Sequence, residues 1–452
     1  MPDTLAAPGR TARLSALRRS AAAQSAVVLG IRVAGAVLQM LLVGAVALQF
    51  SVEAVGLNGV LWSVALVARM AGTVGVDIMG LRAASPLWSV GRVREARAVA
   101  RRDLRAVRIL WSCALAALVL VCAGLALADR PWVLLLALGV VAAASAFERL
   151  FVVQRQARGW PVLGQFLESV ALPALGLLGV LLAGAFAPHL LVLSQVAAFV
   201  LIALTLWVVS PAGPLAPGAR RRRGGRPRDR TGRVPGAVPG PRSREPEVEP
   251  VPWRAAVTVG AGGALTALCV RGPMFVLGGN SLATAGVYEV AQKIQSGGAM
   301  GTSAVATVFS SRTAVALRDR RTLVRLLTEA AASSLVLPVG LLAFLLAVGP
   351  DGLVNLLGTS YQGAWTAATV LVVATVVNAV TSAFTNVLVL GGRERLFTMI
   401  AAGQVVVVVG GALLSGARTA ETMALWVLVG EAFRSLCMVG GLWLHLRELK
   451  TD

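Results

Sequence analysis

The sequence has little of the side-chain chemistry on which many enzymes depend. It contains two histidines, four cysteines without a CxxC pair, and no GxxxxGK[ST] phosphate-binding loop. These absences argue against a histidine-based metal or catalytic cluster, a zinc or disulfide framework, and ATP hydrolysis by a P-loop. The sequence therefore implies no cofactor and no metal ion.

Charged residues are also scarce. They make up 14% of the 452 residues, hydrophobic residues make up 57%, and the mean hydropathy is +0.77. A soluble domain of this length is less apolar, and in lipid the backbone groups of apolar runs are satisfied most simply by helices. The sequence predicts an all-α polytopic membrane protein, with apolar runs long enough to span near residues 25–48, 54–76, 108–128, 131–147, 162–184, 188–210, 255–279, 284–308, 330–348, 365–388, 397–415 and 421–445.

The formal net charge of +21 reflects topology. All but two of the 42 basic residues are arginines, and most lie between the predicted spans. With a cytoplasmic N-terminus, the outer loops hold only Arg130 and Arg418. The positive-inside rule therefore places both termini in the cytoplasm and explains the charge better than nucleic-acid binding does. The bias to Ala, Arg, Gly and Val with almost no Lys suggests a bacterial plasma (inner) membrane.

The predicted spans form two halves around a segment of different composition. Residues 211–254 contain the run Arg220–Arg223 and many prolines and glycines, which predicts a disordered cytoplasmic linker. It is either a solvated connection or a surface that holds anionic lipid head groups. The expected order is a basic cytoplasmic N-terminus (1–24), a six-helix bundle (25–210), this linker, a second six-helix bundle (255–446) and a cytoplasmic tail (447–452).

The two halves repeat each other weakly. Val55-Gly56-Leu57, entering the second span, matches Gly286-Val287-Tyr288, entering the eighth. Basic loops at 92–105 and 318–325 follow at similar distances, and Gly159-Trp160 corresponds to Gly391-Gly392. An even number of spans per repeat gives both halves the same orientation, as in transporters built from parallel repeats. Any substrate path is then expected between the halves.

On these motifs the sequence resembles the multidrug/oligosaccharidyl-lipid/polysaccharide flippase superfamily, in particular its polysaccharide-biosynthesis branch, and is similar to O-antigen flippases. The resemblance rests on Val55–Leu57 through Gly75–Asp77 and Arg82, and on Gly286–Ala291 and Gly358–Ala364. It implies a MATE-like fold with two six-helix bundles forming a V around a cavity, and alternating access. The long Arg/Pro insert departs from the family. The two additional C-terminal spans of the lipid II flippase branch are missing.

The resemblance implies a non-enzymatic flippase that moves a polyprenyl-diphosphate-linked saccharide for cell-surface polysaccharide biosynthesis. Its partners would be that lipid-linked saccharide, membrane lipids, a polysaccharide polymerase and glycosyltransferases, with no nucleic acid. Three alternatives stay open. A MATE-type drug/cation antiporter should have a buried, unpaired carboxylate. A membrane-embedded saccharide polymerase or ligase should have a larger outer loop than residues 349–364. A purely structural scaffold would give no reason for an arginine to be buried.

Charged residues inside spans are candidate site residues because each costs roughly 2.5–3.5 kcal/mol to insert. Guanidinium groups bind phosphate oxygens in pairs, so cations are predicted to contact the diphosphate. The candidates are Arg32, Arg69, Arg271 and Lys293. Arg32 and Arg271 have no local partner in the sequence, Arg69 is close enough to the cytoplasmic interface to snorkel, and Lys293 lies four residues after Glu289.

Acidic residues are candidates for ion coupling, with a structural role as the alternative for each. They are Asp77, Glu168, Glu289 and Glu431, the last spaced i,i+3 from Arg434. A set of polar residues either lines a path or joins helix to helix. This set is Gln39, Gln195, Asn378, Asn386 and Gln404. The Gly260-Ala-Gly262-Gly263 run in the seventh span predicts close helix packing.

Overall fold

The computed structural model describes residues 10–89, 91–127, 132–158, 161–187, 190–210, 253–317, 319–391 and 393–448. Within these ranges the secondary structure is helical, which confirms the predicted all-α class. The predicted disorder of the linker concerns residues outside the described ranges, except at its last two positions. The described ranges also leave out Arg130, the Gly159-Trp160 motif and His189, one of the two histidines.

The described residues of the first half form eight α-helical segments. They are α1 (Arg10–Gln49), α2 (Val52–Ala71), α3 (Val76–Ser89), α4 (Val93–Leu127), α5 (Val133–Ala157), α6 (Pro161–Phe166), α7 (Leu172–Phe186) and α8 (Leu191–Val209). A π-helical turn, Leu167–Ala171, joins α6 to α7, so the two form one span.

The second half follows the same plan. Its helices are α9 (Trp253–Asn280), α10 (Leu282–Ala316), α11 (Arg320–Leu357), α12 (Ala364–Leu390), α13 (Glu394–Val405), α14 (Gly411–Leu414) and α15 (Ala420–Glu448). A second π-helical turn, Val406–Gly410, joins α13 to α14. The fifth and eleventh predicted spans therefore both contain a π-helical turn, a feature often found near functional sites.

Eleven segments in the described ranges are long and apolar enough to cross a membrane, which makes this a multi-pass membrane protein. The sequence predicted twelve, and the difference is α10. This helix has 35 residues, but it carries Glu289, Gln292 and Lys293, and its mean hydropathy is lower than that of the eleven segments. It packs among α1, α2, α9, α11 and α12. Neighbouring helices therefore surround its polar side chains.

Two predicted loops are helical. Residues 93–105 form the first turns of α4, and residues 320–325 form the first turns of α11. The fourth span was predicted to end at 147, but α5 continues to Ala157. In each case charged residues interrupt the apolar run without ending the helix, because Ala, Arg and Glu are good helix formers. A real break occurs at Gly349, whose φ of 69° interrupts α11 where the ninth span was predicted to end.

The halves meet where α2 crosses α10. Gly56 approaches the backbone of Leu282, and Gly286 approaches the backbone of Val52, so the contact is reciprocal. This symmetry supports the predicted correspondence of α2 and α10. It pairs Gly56 with Gly286, whereas the sequence match paired Gly56 with Val287 and was out of register by one residue.

Candidate functional site

A buried ionic cluster lies on α9 and α10, next to the first half. Arg271 Nη1 lies 3.2 Å from Glu289 Oε2 and donates a hydrogen bond of 2.6 Å to Gln292 Oε1. Lys293 Nζ lies 3.4 Å from Glu289 Oε1. The Glu289 side chain is 0% exposed, so one fully buried carboxylate is shared by two cations.

These contacts decide two predictions. The i,i+4 pair of Glu289 and Lys293 is confirmed. Arg271 has no partner close in the sequence, but the fold gives it one, because α9 and α10 form a helical hairpin that brings Glu289 back beside it. Even so, the Arg271 Nε–H is buried and has no hydrogen-bond partner in the described part of the chain. The protein therefore does not satisfy the whole guanidinium group.

The same face of α10 contacts α1 and α2. Lys293 Nζ donates to Gln39 Oε1 at 3.4 Å and lies 5.6 Å from the centroid of a Trp62 ring. Arg32 Nε donates to Gln165 Oε1 at 3.3 Å. Its Nη1 reaches Ser303 Oγ on α10 at 3.5 Å, so both partners of Arg32 within the described ranges are neutral.

Arg32 and Gln39 are seven residues apart on α1, a rise of about 10 Å along the helix. The contact between α1 and α10 thus has Lys293 at one level and Arg32 at another. We call this contact, together with the neighbouring Arg271 and Glu289, the interhalf seam. Its ionic side chains are three cations and one carboxylate among the residues described above.

A second ionic cluster lies inside the first half. Arg69 donates from Nη2 to Glu148 Oε2 at 2.9 Å and from Nη1 to Glu168 Oε1 at 2.7 Å. The Glu148 side chain is only 1% exposed. Arg69 therefore does not snorkel to the interface, and Glu168 is engaged in an ion pair. This cluster has one cation and two carboxylates.

Sequence reasoning missed Glu148 because the fourth span was predicted to end one residue earlier. A usable signal was present, since Glu148 follows Val141 by seven residues and Ala144 by four. That spacing puts it on the apolar face of a continuing helix. Both apolar residues are buried in the structure.

Asp77 is engaged near the start of α3. Arg149 Nε lies 3.0 Å from Asp77 Oδ2, and the Thr73 hydroxyl donates to Oδ1 at 2.9 Å. These contacts tie the turn before α3 to α5. An ion-coupling role for Asp77 stays a prediction, and such a role would require Arg149 to release it.

The predicted Glu431–Arg434 pair is confirmed, with Arg434 Nη1 3.5 Å from Glu431 Oε2 inside the second half. Gln404 Nε2 donates to Glu431 Oε1 at 2.9 Å, and Arg434 Nη1 donates to Asn378 Oδ1 at 3.3 Å. The cluster therefore joins α12, α13 and α15. As in the first half, a polar side chain close to the π-helical turn takes part.

Two polar candidates, Gln195 and Asn386, remain to be placed. Gln195 Nε2 donates to the Gly176 carbonyl oxygen at 2.9 Å, which joins α8 to α7. The side chain of Asn386 lies outside the described part of the structure.

In the glycine run on α9, Gly260 packs closely, as predicted, whereas a Cβ at Gly263 would meet nothing within 4 Å. A Cβ at Gly260 would lie 2.7 Å from the Gly75 backbone nitrogen and 2.6 Å from the Val74 carbonyl carbon. Gly75 has φ of +74°, so the turn between α2 and α3 also favours glycine there. By the predicted topology this second interhalf contact lies at the cytoplasmic end, and the crossing of α2 and α10 lies at the outer end.

No protein-family model matches the chain, and no curated protein matches it in sequence. Solved structures do match. An inward-facing MATE-family multidrug resistance transporter of the MOP superfamily is 14% identical, with 95% of this chain and 99% of that chain covered and a TM-score of 0.67. The lipid II flippase MurJ in an inward closed conformation is 9% identical, with 92% and 88% covered and a TM-score of 0.66.

A third structure carries a description of its binding pocket. It is a MOP superfamily transporter from Pyrococcus furiosus, described as having a binding pocket of reverse polarity that suggests a different function, and it is 15% identical, with 94% and 96% covered and a TM-score of 0.60. At these identities the likeness establishes the fold. The predicted MATE-like fold and the predicted structural resemblance to this superfamily are confirmed.

Proposed function

We propose that this chain is a flippase that translocates a polyprenyl-diphosphate-linked saccharide across the bacterial plasma membrane for cell-surface polysaccharide biosynthesis. The observation that carries the proposal is the charge of the interhalf seam. Three cations lie there with one carboxylate: Arg271 and Lys293 contact Glu289, whereas the partners of Arg32 are neutral. The seam lies between two halves of a transporter fold. A surplus of cations over carboxylates favours an anionic substrate.

The chemistry of the seam suits a diphosphate. Guanidinium groups bind phosphate oxygens through paired, charge-assisted hydrogen bonds, and an ammonium group adds a point charge. A buried cation without a partner is costly, so the empty seam needs a carboxylate. Glu289 supplies it for Arg271 and Lys293. A bound phosphate group would replace Glu289 as the anionic partner of part of this positive charge. When the substrate leaves, Glu289 would pair with both cations again, so release does not leave a buried cation unpaired.

The energy source lies outside the chain in this proposal. An ion gradient, the membrane potential or consumption of the exported product would give the transport its direction. Glycosyltransferases on the cytoplasmic side and a polysaccharide polymerase outside are the proposed partners, because they make and use such a substrate. The acidic groups Asp77, Glu168, Glu289 and Glu431 remain proposed coupling residues, and each has a cationic partner in the structure.

A second candidate function is drug/cation antiport. The observation that favours it is the cluster of Arg69, Glu148 and Glu168, where two carboxylates share one cation. A multidrug transporter is also among the structural neighbours. This cluster lies within the first half, however, whereas the surplus of cations lies between the halves.

The deciding experiment deletes the gene and measures two quantities, lipid-linked saccharide precursors in the membrane and polysaccharide at the cell surface. The proposal predicts that precursors accumulate on the inner leaflet while surface polymer is lost, and that the wild-type gene restores both. Unchanged saccharides together with heightened sensitivity to cationic drugs would establish the antiporter instead.

Variants of Arg271 connect this result to the seam. Arg271→Gln should fail to restore export, and Arg271→Lys should restore part of it because the charge is kept. The control is Arg325→Gln, since Arg325 is an exposed residue of α11. Membrane abundance and thermal midpoint of each variant show whether the protein has folded. Full export by a folded Arg271→Gln protein would remove this residue from the site.

A further inference from the structure

An apolar groove opens on the outside of the first half, away from the interhalf seam. It has a volume of about 430 Å³ and lies among α4, α5 and α8. Both α4 and α8 pack on α5, so α5 forms the floor and the other two helices form the walls. Phe147, Phe151 and Trp207 contribute aromatic surface, and Arg108 is the one charged residue among those that line it.

The α4 wall faces the bilayer to an unusual degree. Only 6% of its most apolar stretch is buried, the smallest share of the eleven membrane-spanning candidates in the described ranges. Leu120 and Val119 are more than half exposed. The α4 wall of the groove therefore faces the lipid, so a chain from the bilayer can approach the groove from the side.

Three exposed arginines lead into one end of the groove. Arg101, Arg105 and Arg108 are spaced i, i+4 and i+7 on α4, which puts them on one helical face. None of them has an ion-pair partner within the described ranges. Arg108 is also the last charged residue of α4, and the positive-inside rule places this end at the cytoplasmic leaflet.

The arrangement follows the layout of a lipid molecule. Arg108 and Leu115 both line the groove and are seven residues apart, which is about 10 Å of helix rise. Phosphates at the level of the arginines would leave an attached chain running toward Leu115 and deeper. Since surrounding lipid is as apolar as the groove, the aromatic walls and the phosphate contacts have to supply the preference for one occupant.

A single-chain diphosphate fits these features better than a phospholipid does. The groove is one channel between two helices, and it is approached by three cations. A polyprenyl diphosphate has one chain and two phosphates, whereas a phosphatidylglycerol has two chains and one phosphate. Charge and chain number therefore both favour the polyprenyl lipid.

We propose that the groove among α4, α5 and α8 holds the polyprenyl chain of the lipid-linked substrate in the inner leaflet, with Arg105 and Arg108 binding its phosphates before the saccharide enters the interhalf seam. The proposal rests on the proposed function, which supplies the substrate class. It adds a waiting site on the lipid-facing surface of the first half.

The test uses the full-length protein in liposomes with a polyprenyl diphosphate that carries a diazirine on its chain. After illumination, the labelled peptides should come from the groove faces of α5 and α8. Unlabelled polyprenyl diphosphate should compete with the probe, and phosphatidylglycerol should not. Arg108→Gln should lower the labelling about tenfold, as expected for loss of a charge-assisted phosphate contact.

Two substitutions of equal size separate the groove from the general lipid surface. Ala203→Phe fills the groove from the α8 wall and should reduce labelling as strongly as Arg108→Gln. Ala117→Phe adds the same ring on exposed α4 surface, two positions from Leu115 and so on the opposite side of the helix. It should leave labelling unchanged.

The outcomes of this test and of the gene deletion are distinct. Labelling spread over the whole lipid-facing surface, or competed equally by phosphatidylglycerol, would mean ordinary boundary lipid and would overturn the groove site. That result would leave the export function standing if gene deletion still blocks export. Groove labelling in a protein whose deletion changes no saccharide would refute the export function, and the groove would then be a polyprenyl-lipid site without that role.

Discussion

Gly56 and Gly286 pack against each other's helix through backbone atoms. A Cβ at Gly56 would lie 1.9 Å from the Leu282 carbonyl oxygen, and a Cβ at Gly286 would lie 2.1 Å from the Val52 carbonyl oxygen. Each glycine stands four residues after the residue that its partner contacts. The crossing of α2 and α10 is therefore symmetric, and side chains larger than hydrogen are excluded from both positions.

This crossing predicts that Gly56→Ala destabilises the protein. The new methyl group meets backbone atoms that cannot rotate away, so the helices must separate, at a cost of about 1–3 kcal/mol. The thermal midpoint of the purified protein, followed by tryptophan fluorescence, measures the effect. Gly44→Ala on α1 is the control, because a Cβ there meets nothing within 4 Å. Equal midpoints for both variants would contradict the close crossing.

Loss of the shared carboxylate should be more damaging than loss of either cation. Glu289→Gln leaves Arg271 and Lys293 buried together without a carboxylate, and breaking a buried pair costs about 3–5 kcal/mol. The double variant Glu289→Gln/Lys293→Met should recover part of the loss, since it removes one of the two unpaired charges. Thermal midpoints of the wild type, the two single variants and the double variant form a double-mutant cycle. Glu329→Gln, in an exposed pair, should change the midpoint little.

The Arg69 cluster should respond asymmetrically. Arg69→Gln leaves the buried Glu148 carboxylate facing the partly buried Glu168, whereas Glu148→Gln leaves Arg69 still paired with Glu168. We expect a loss of about 3–5 kcal/mol for Arg69→Gln and a clearly smaller loss for Glu148→Gln. Denaturation in matched detergent compares them. A larger loss for Glu148→Gln would show that Glu168 does not hold Arg69.

The polar candidates separate by location. Gln195→Leu removes a bond between α7 and α8 within the first half and should cost about 0.6 kcal/mol, with export unchanged. Gln39→Leu removes the partner of Lys293 in the interhalf seam and should reduce export. Surface polysaccharide in the complemented deletion strain measures both. Export that depends on Gln195 and not on Gln39 would move the substrate path away from the seam.

Much of the architecture follows from the sequence because lipid imposes a simple rule on the backbone. An apolar run has to satisfy its own hydrogen bonds, so composition alone located almost every span. The same reasoning placed a span at 284–308, where α10 lies, and the charged Glu289 and Lys293 of this helix are acceptable only because other helices surround them. It also ended α5 too early, since Glu148 is buried by a neighbour that the sequence does not reveal.

Ion pairs between residues close in the sequence were equally predictable, because side chains three or four residues apart on a helix are neighbours. The Glu289–Lys293 and Glu431–Arg434 pairs were predicted on that basis and are present. The Arg271–Glu289 contact depends on a helical hairpin, and the Arg69 cluster joins three separate helices. Which charges share a pocket is a property of helix packing, so only the tertiary structure decided the surplus of cations between the halves.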